Sequence, residues 1–203
     1  MEWFSLAIFG LLIVVSPGAD FVLVFKNSSL SGRKAGLLTA LGIGLGVCVH
    51  ITYSMIGISH LVSHNPLVLS IVKYAGAAYL IYLGVSGLMS TRLRLPSEPA
   101  QRRPNHPGGY LLQGFLCNAL NPKTMLFFLS VFGQLITTPP GNQSFVIAYG
   151  AYLALLHTAW FALVAYLITS ARMVEWLQKF GHRINQTCGL GLITFGITLS
   201  TSA

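Results

Sequence analysis

The sequence predicts an all-α membrane protein: six transmembrane helices arranged as two inverted three-helix repeats, with helices 1 and 4 interrupted at Pro17 and Pro122. Three observations predict it. Of 203 residues, 54% are hydrophobic and only 8% charged, with a mean hydropathy of +0.69, whereas a soluble domain carries roughly a quarter charged residues. Six apolar runs reach the roughly 18–20 residues that a bilayer crossing demands. Two of them contain a proline preceded by a helix-capping residue and followed within three residues by a charge, in "SPGAD" and "NPK".

Taken in order, the runs are 3–26, 36–59, 66–90, 110–136, 144–168 and 184–201. The first could be a signal peptide, but its first charge is Glu2 and no basic residue precedes the apolar stretch, so it reads as a retained helix. The second carries "GIGLG", with Gly42 and Gly46 at the four-residue spacing that lets two helices approach closely. The third is glycine-rich ("YAGAAYLIYLG") and carries Lys73 near its outer end, whose long stem can snorkel to the interface. "LRLPSEPAQRRPNHPGG" (93–109) follows, the only long linker. It sets the division into a first repeat (1–91), a cytoplasmic linker (92–109) and a second repeat (110–203). Between the fifth and sixth runs, Val174, Leu177, Phe180 and Ile184 recur at helical spacing, which predicts a short interfacial helix near 173–183 with Trp176 in the headgroup zone.

The halves match in pattern. His50 follows Pro17 by 33 residues and His157 follows Pro122 by 35, each in the middle of the next helix, and a glycine-rich helix closes each half. A three-helix unit repeated after an odd number of crossings returns upside down. Inverted repeats with interrupted helices at mid-membrane mark secondary transporters.

Charge placement sets the orientation. The net charge is +8. Ten of the twelve Lys and Arg lie in three connections: Lys26, Arg33 and Lys34; Arg92, Arg94, Arg102 and Arg103; Arg172, Lys179 and Arg183. The intervening connections carry none. This is the positive-inside distribution, not a nucleic-acid footprint, and it puts both termini in the periplasm of a bacterial inner-membrane protein. Cys48, Cys117 and Cys188 fall in apolar runs at no metal-like spacing, which predicts buried, inert thiols and no metal site.

The candidate site lies at the two breaks. Ser16 and Asn121 are favoured N-caps, and Pro17 and Pro122 suit a first helical position, so each pair can stop one half-helix and start another. Gly18 adds local freedom. The new half-helices aim N–H groups and dipole positive ends into the membrane, a seat for a carboxylate, while the preceding halves expose carbonyls to a cation. Asp20 and Lys123 each cost on the order of 2.5–3.5 kcal/mol at a bilayer centre. Either they form a salt bridge to each other or they pair with a zwitterion, Asp20 with its ammonium and Lys123 with its carboxylate. His50 and His157 are candidates for a proton relay or a polar pocket; the plain alternative is helix-to-helix hydrogen bonding. Trp160, one turn beyond His157, is expected to pack.

"SPGADFVLV", "SGRKAGLLTALGIGLG", "AGAAYLIYLG" and "GFLCNALNPKTMLFFL" resemble, in order and spacing, the lysine-exporter and homoserine–threonine-resistance (LysE/RhtB) family of bacterial amino-acid exporters. The resemblance runs over most of residues 5–135. It implies a six-helix exporter that moves small amino acids or close derivatives outward by proton antiport. The family's first motif usually reads Pro-Gly-Pro; Ala19 stands in its third position here, while Asn121, Pro122 and Lys123 fill the second motif intact.

The expected partners are a small amino acid, protons and the lipid bilayer; no nucleic acid and no cofactor is expected, and a homo-oligomer is left open. Distant relatives proposed to handle metal ions keep a divalent-cation exporter as the alternative, against which stands a single intramembrane carboxylate. An enzyme would need a nucleophile with an adjacent base, and no histidine is fixed beside Ser16 by the sequence.

Overall fold

A computed structural model describes residues 3–64, 66–89, 106–137, 143–168 and 170–201. All the elements among them are helices: α1 (Trp3–Val15), α2 (Ala19–Ser31), α3 (Arg33–His64), α4 (Pro66–Leu88), α5 (Pro107–Ala119), α6 (Pro122–Thr137), α7 (Gln143–Leu167) and α8 (Ala171–Thr201). Most of the 93–109 linker and the side chain of Lys73 fall outside the described residues.

Two single helices are long and apolar enough to cross a membrane, Arg33–Ile56 in α3 and Ser144–Leu167 in α7. Two bent pairs qualify if each is one span: α1 with α2, bent by 51°, and α5 with α6, bent by 53°. The surface supports a lipid solvent. Leu37, Leu41 and Leu45 on α3, Leu112 and Leu116 on α5 with Leu120 just after it, and Leu155, Leu163 and Tyr166 on α7 all face outward. A soluble monomer rarely displays such continuous apolar stripes. Hydroxyls on α7 and α8 close back on their own backbone, as Thr158 does to Ala154 (2.9 Å) and Thr194 to Leu190 (3.1 Å), which satisfies them without water.

The segment at 173–183 is helical but does not stand apart. Nothing in "GHRINQT" breaks a helix, and α8 runs unbroken from Ala171 to Thr201. Its first turns dock by Val174, Leu177 and Ile184 against Phe21, Phe25, Val164 and Ile168 of α2 and α7. A second, larger core gathers Leu6, Val47, Phe127, Phe128, Phe132, Leu153 and Phe195.

The ends of the bundle are told apart by a few contacts. The Arg33 guanidinium lies 3.9 Å over the Tyr166 ring, joining the α2–α3 connection to the end of α7. Gln186, midway along α8, donates to the carbonyl of Leu88 at 3.4 Å and so meets the end of α4. At the other end, the hydroxyls of Tyr149 and Tyr152 donate to the carbonyls of Leu6 (3.0 Å) and Ala7 (3.2 Å), so α1 begins where α7 begins. Leu199 of α8 shares the core there with Leu6 and Val146.

Within the bundle, α3 packs along α5, and Gly42 and Gly46 make the contact. A side chain at Gly42 would strike the backbone at Leu111 and Phe115; one at Gly46 would meet the Phe115 carbonyl at 2.9 Å. This close approach holds Asn118 of α5 against His50 of α3.

Candidate functional site

The two chain breaks meet inside the bundle. At the first, α1 closes with Ser16 N–H on the Leu12 carbonyl (3.0 Å), and Pro17 brings no N–H to continue the ladder. α2 begins at Ala19, and its N-cap is Gly18, extended at φ −157°, ψ −162°, with no side-chain cap. Ser16 is therefore not the cap that a Ser-Pro pair predicts. Pro17 stays outside the new helix, and the start of α2 is displaced two residues onward. At the second break Asn121 does cap α6: its Oδ1 accepts the Lys123 N–H at 3.0 Å and its carbonyl the Met125 N–H at 3.0 Å, with Pro122 as first helical residue.

Each break supplies the partner for the other's charge. Asp20 Oδ2 accepts from Asn118 Nδ2 (2.8 Å) and Asn121 Nδ2 (3.2 Å), both from the second break. The Lys123 ammonium donates to the Ser16 carbonyl of the first at 2.5 Å, and its stem rests beside Gly18. A direct Asp20–Lys123 salt bridge does not form; neutral groups take both charges. Bonds to an ion are worth about 1.5–3 kcal/mol each, so two of them offset the insertion cost of a carboxylate, on the order of 2.5–3.5 kcal/mol.

The site is left with acceptors to spare. Asp20 Oδ1 and Asn118 Oδ1 are buried and have no hydrogen-bond partner. Both can only accept, so the group they await is a donor, as an ammonium or a protonated species would be. The indole N–H of Trp160 is likewise buried and unpaired.

The histidines join the same neighbourhood by different routes. His50, fully buried, holds the Asn118 carbonyl with Nε2 (2.8 Å) and meets the Tyr53 hydroxyl with Nδ1 (2.7 Å). A carbonyl can only accept, so Nε2 carries the proton and Tyr53 donates to Nδ1. The same hydroxyl lies 3.4 Å from the Met125 carbonyl, so it can instead accept from a protonated ring and donate onward. His157 spends Nδ1 on the Leu153 carbonyl of its own helix (2.8 Å). It makes no hydrogen bond to either break and lies tilted near Phe161, with ring centroids 6.4 Å apart.

Sequence reasoning missed Asn118, which links Asp20 to His50 and reaches Thr124 Oγ1 at 3.4 Å. The signal was present: two asparagines three apart in an apolar run, "NALN". It also missed a polar cluster between α2, α3 and α5, in which Asn27 donates to Thr39 (2.9 Å) and Gln113 (3.2 Å). The thiols were expected to be buried; only Cys188 is, while Cys117 is half-buried and Cys48 faces outward. Among the described residues no three His, Cys, Asp or Glu side chains gather as a metal site.

Comparison with known proteins gives the family. The LysE type translocator family matches residues 11–203. An uncharacterised membrane protein of Bacillus subtilis, YrhP, is 32% identical over 200 residues, covering 94% of each chain. The leucine efflux protein of Salmonella typhimurium is 30% identical over 207 residues, 99% of this chain and 95% of its own. No solved structure matches. With a family match over nearly its whole length and relatives aligned end to end, the chain belongs to the LysE translocator family: it is a multi-pass membrane transporter of small molecules and not an enzyme.

Proposed function

We propose that this protein exports small amino acids or close derivatives across the bacterial inner membrane by proton antiport with alternating access. The observation that carries the reading is the crossed bonding of the breaks: Asp20 held by Asn118 and Asn121, Lys123 held by Ser16, and the acceptor Oδ1 atoms of Asp20 and Asn118 left over. A zwitterion complements this arrangement. Its ammonium takes the spare acceptors, and its carboxylate takes the Lys123 ammonium in place of the Ser16 carbonyl.

In this mechanism Asp20 binds the substrate's ammonium while ionised and a proton when the substrate has left, which couples the two fluxes in opposite directions. His50, tied to Asn118 and able to exchange hydrogen-bond roles with Tyr53, is the group that passes the proton. The halves 1–91 and 110–203 are the moving units. Two pairs of equivalent helices, α3 with α7 and α4 with α8, pack against each other across the halves, which supports treating the halves as the repeats of such a transporter. Six crossings with basic connections inside leave both termini in the periplasm. The 30% identical leucine efflux proteins support an amino-acid cargo. Divalent-cation export would rest on a single carboxylate flanked by amides, a thin oxygen set for a hard ion.

Efflux of labelled amino acids from energised vesicles, screened across the common set and repeated with the proton gradient collapsed, tests this directly. Gradient-dependent export that Asp20→Asn abolishes, with the protein still made in normal amount, is the expected result. Export that survives loss of the gradient would remove the antiport mechanism, and resistance conferred only to metal salts would replace the cargo.

A further inference from the structure

Two clusters, one toward each end of the bundle, occupy matching places in the two halves. Toward the α2–α3 connection, Asn27 of α2 donates to Thr39 of α3 (2.9 Å) and to Gln113 of α5 (3.2 Å). Toward the start of α1, Phe132 of α6 lies against Tyr149 of α7, ring centroids 6.3 Å apart, and the Tyr149 hydroxyl donates to the Leu6 carbonyl of α1 at 3.0 Å. Each cluster ties two helices of one half to the first helix of the other. We propose that they are the two gates of the transport path, each parting in turn while the other holds. The inference rests on the reading that the halves are the moving units of an exporter.

The match is one of position. Asn27 and Phe132 each stand ten residues beyond the proline of their own break. Thr39 and Tyr149 precede His50 and His157 by eleven and eight residues, and Gln113 and Leu6 precede Pro122 and Pro17 by nine and eleven. Inversion sends such matching positions to opposite ends of a bundle, with the paired breaks between them. Asn27 is seven residues past Asp20, two turns and about 10 Å along the same face of α2. Phe132 is nine past Lys123, about 14 Å along α6.

One turn of buried apolar side chains separates each cluster from the breaks. Val24 and Ile43 lie between Asn27 and Thr39 and the level of Asp20, both fully buried, and a side chain at Gly114 would strike the Thr39 carbonyl. Phe128 and Leu153 hold the same place inward of Phe132 and Tyr149. Along these helices the breaks are shut off toward both ends. A polar trio in an apolar bundle is by itself helix packing. Packing asks neither for a second trio at matched positions nor for a bond from each to the opposite half. Hydrogen bonds that part are remade to water, so each contact can open as well as hold.

The test uses the full-length protein in lipid vesicles, with a labelled amino acid and a proton gradient. Cysteines replace facing residues in pairs, in a chain carrying Cys48→Ser, Cys117→Ser and Cys188→Ser, and a short reducible cross-linker joins them. Joining Asn27→Cys to Gln113→Cys, or Leu6→Cys to Tyr149→Cys, should abolish export, and reductant should restore it. Joining Asn27→Cys to Thr39→Cys, both in the first half, should leave export running. Export that persists with either cross-half pair joined overturns the gate at that end, and equal loss in all three pairs overturns both. A second measurement needs neither export nor cross-linking. Asn27→Ala and Tyr149→Phe in the native chain each loosen one gate, so the double variant should dissipate the proton gradient faster than the two single variants together. A double variant no leakier than that overturns the assignment. A wild type that exports no amino acid strikes the functional reading beneath, while the leak comparison still judges the gates.

Discussion

At the scale of single residues, the site is an exchange of partners between two places far apart in the chain. Asp20 and Asn118 are 98 residues apart, yet their 2.8 Å bond fixes the carboxylate and leaves its other oxygen free. Asn118→Ala removes that donor. A bond to an ion is worth about 1.5–3 kcal/mol, so the KM for export should rise about ten- to a hundredfold, read in vesicles against a wild-type control; an unchanged KM would show that Asp20 does not need this anchor. Lys123→Arg is expected to fail where charge alone would predict success, because a planar guanidinium cannot occupy the space of a compact ammonium beside Gly18. Asp20 and Lys123 were legible in the sequence, since ionisable groups in apolar runs are costly and conspicuous. Asn118 left a weaker mark, a second asparagine in "NALN", because an amide is cheap enough to pass as helix packing and its importance arises from the residue it faces.

At the scale of elements, the same two breaks show how far local rules reach. Asn121 does two jobs, capping α6 through Oδ1 and holding Asp20 through Nδ2. Substitution separates them. Both variants lose the bond to Asp20, but Asn121→Ser keeps a capping hydroxyl, so Asn121→Ala should be the less stable of the two by about 0.5–2 kcal/mol. Without that bond both should export poorly; an Asn121→Ser protein that exports normally would leave only the cap as this residue's role. A different constraint governs the turn between α2 and α3. Gly32 stands at φ 84°, ψ 175° with its N–H on the Ser28 carbonyl at 3.0 Å, a region open essentially to glycine alone. Gly32→Ala should therefore cost about 1–3 kcal/mol, measured as earlier loss of helicity on heating in detergent. Local rules read the Asn-Pro break well, because capping is decided within three residues. They misplaced the Ser-Pro cap by two residues, because the Ser16 carbonyl is claimed by a lysine on the other half of the chain, which no local rule contains.

At the scale of the whole molecule, orientation follows from where the basic residues gather. Composition and run length were enough to read an apolar helical bundle, and the spacing of the runs foretold its main helices. The continuity of 173–183 with α8 was not legible, since a glycine, a histidine and an arginine interrupt the apolar pattern without interrupting the helix. The structure adds what charge counting lacks, namely which ends share a side. Arg33 on Tyr166 brings the α2–α3 connection to the end of α7, and the tyrosine bonds to Leu6 and Ala7 put the start of α1 at the opposite end. Ten of the twelve cations in the sequence belong to the connections on the side of Arg33, and crossing the bilayer with it outward would set them against both the positive-inside preference and the anionic lipids of the inner leaflet. Reporters active on only one side of the membrane settle the matter. Fused after Ala203, such a reporter should register the periplasm; inserted within residues 93–109, it should register the cytoplasm. The reverse pair of readings would turn the molecule over. The start of α1 and the start of α7, which share an end, would then face the cytoplasm, and the direction of transport would have to be argued again from an importer's side.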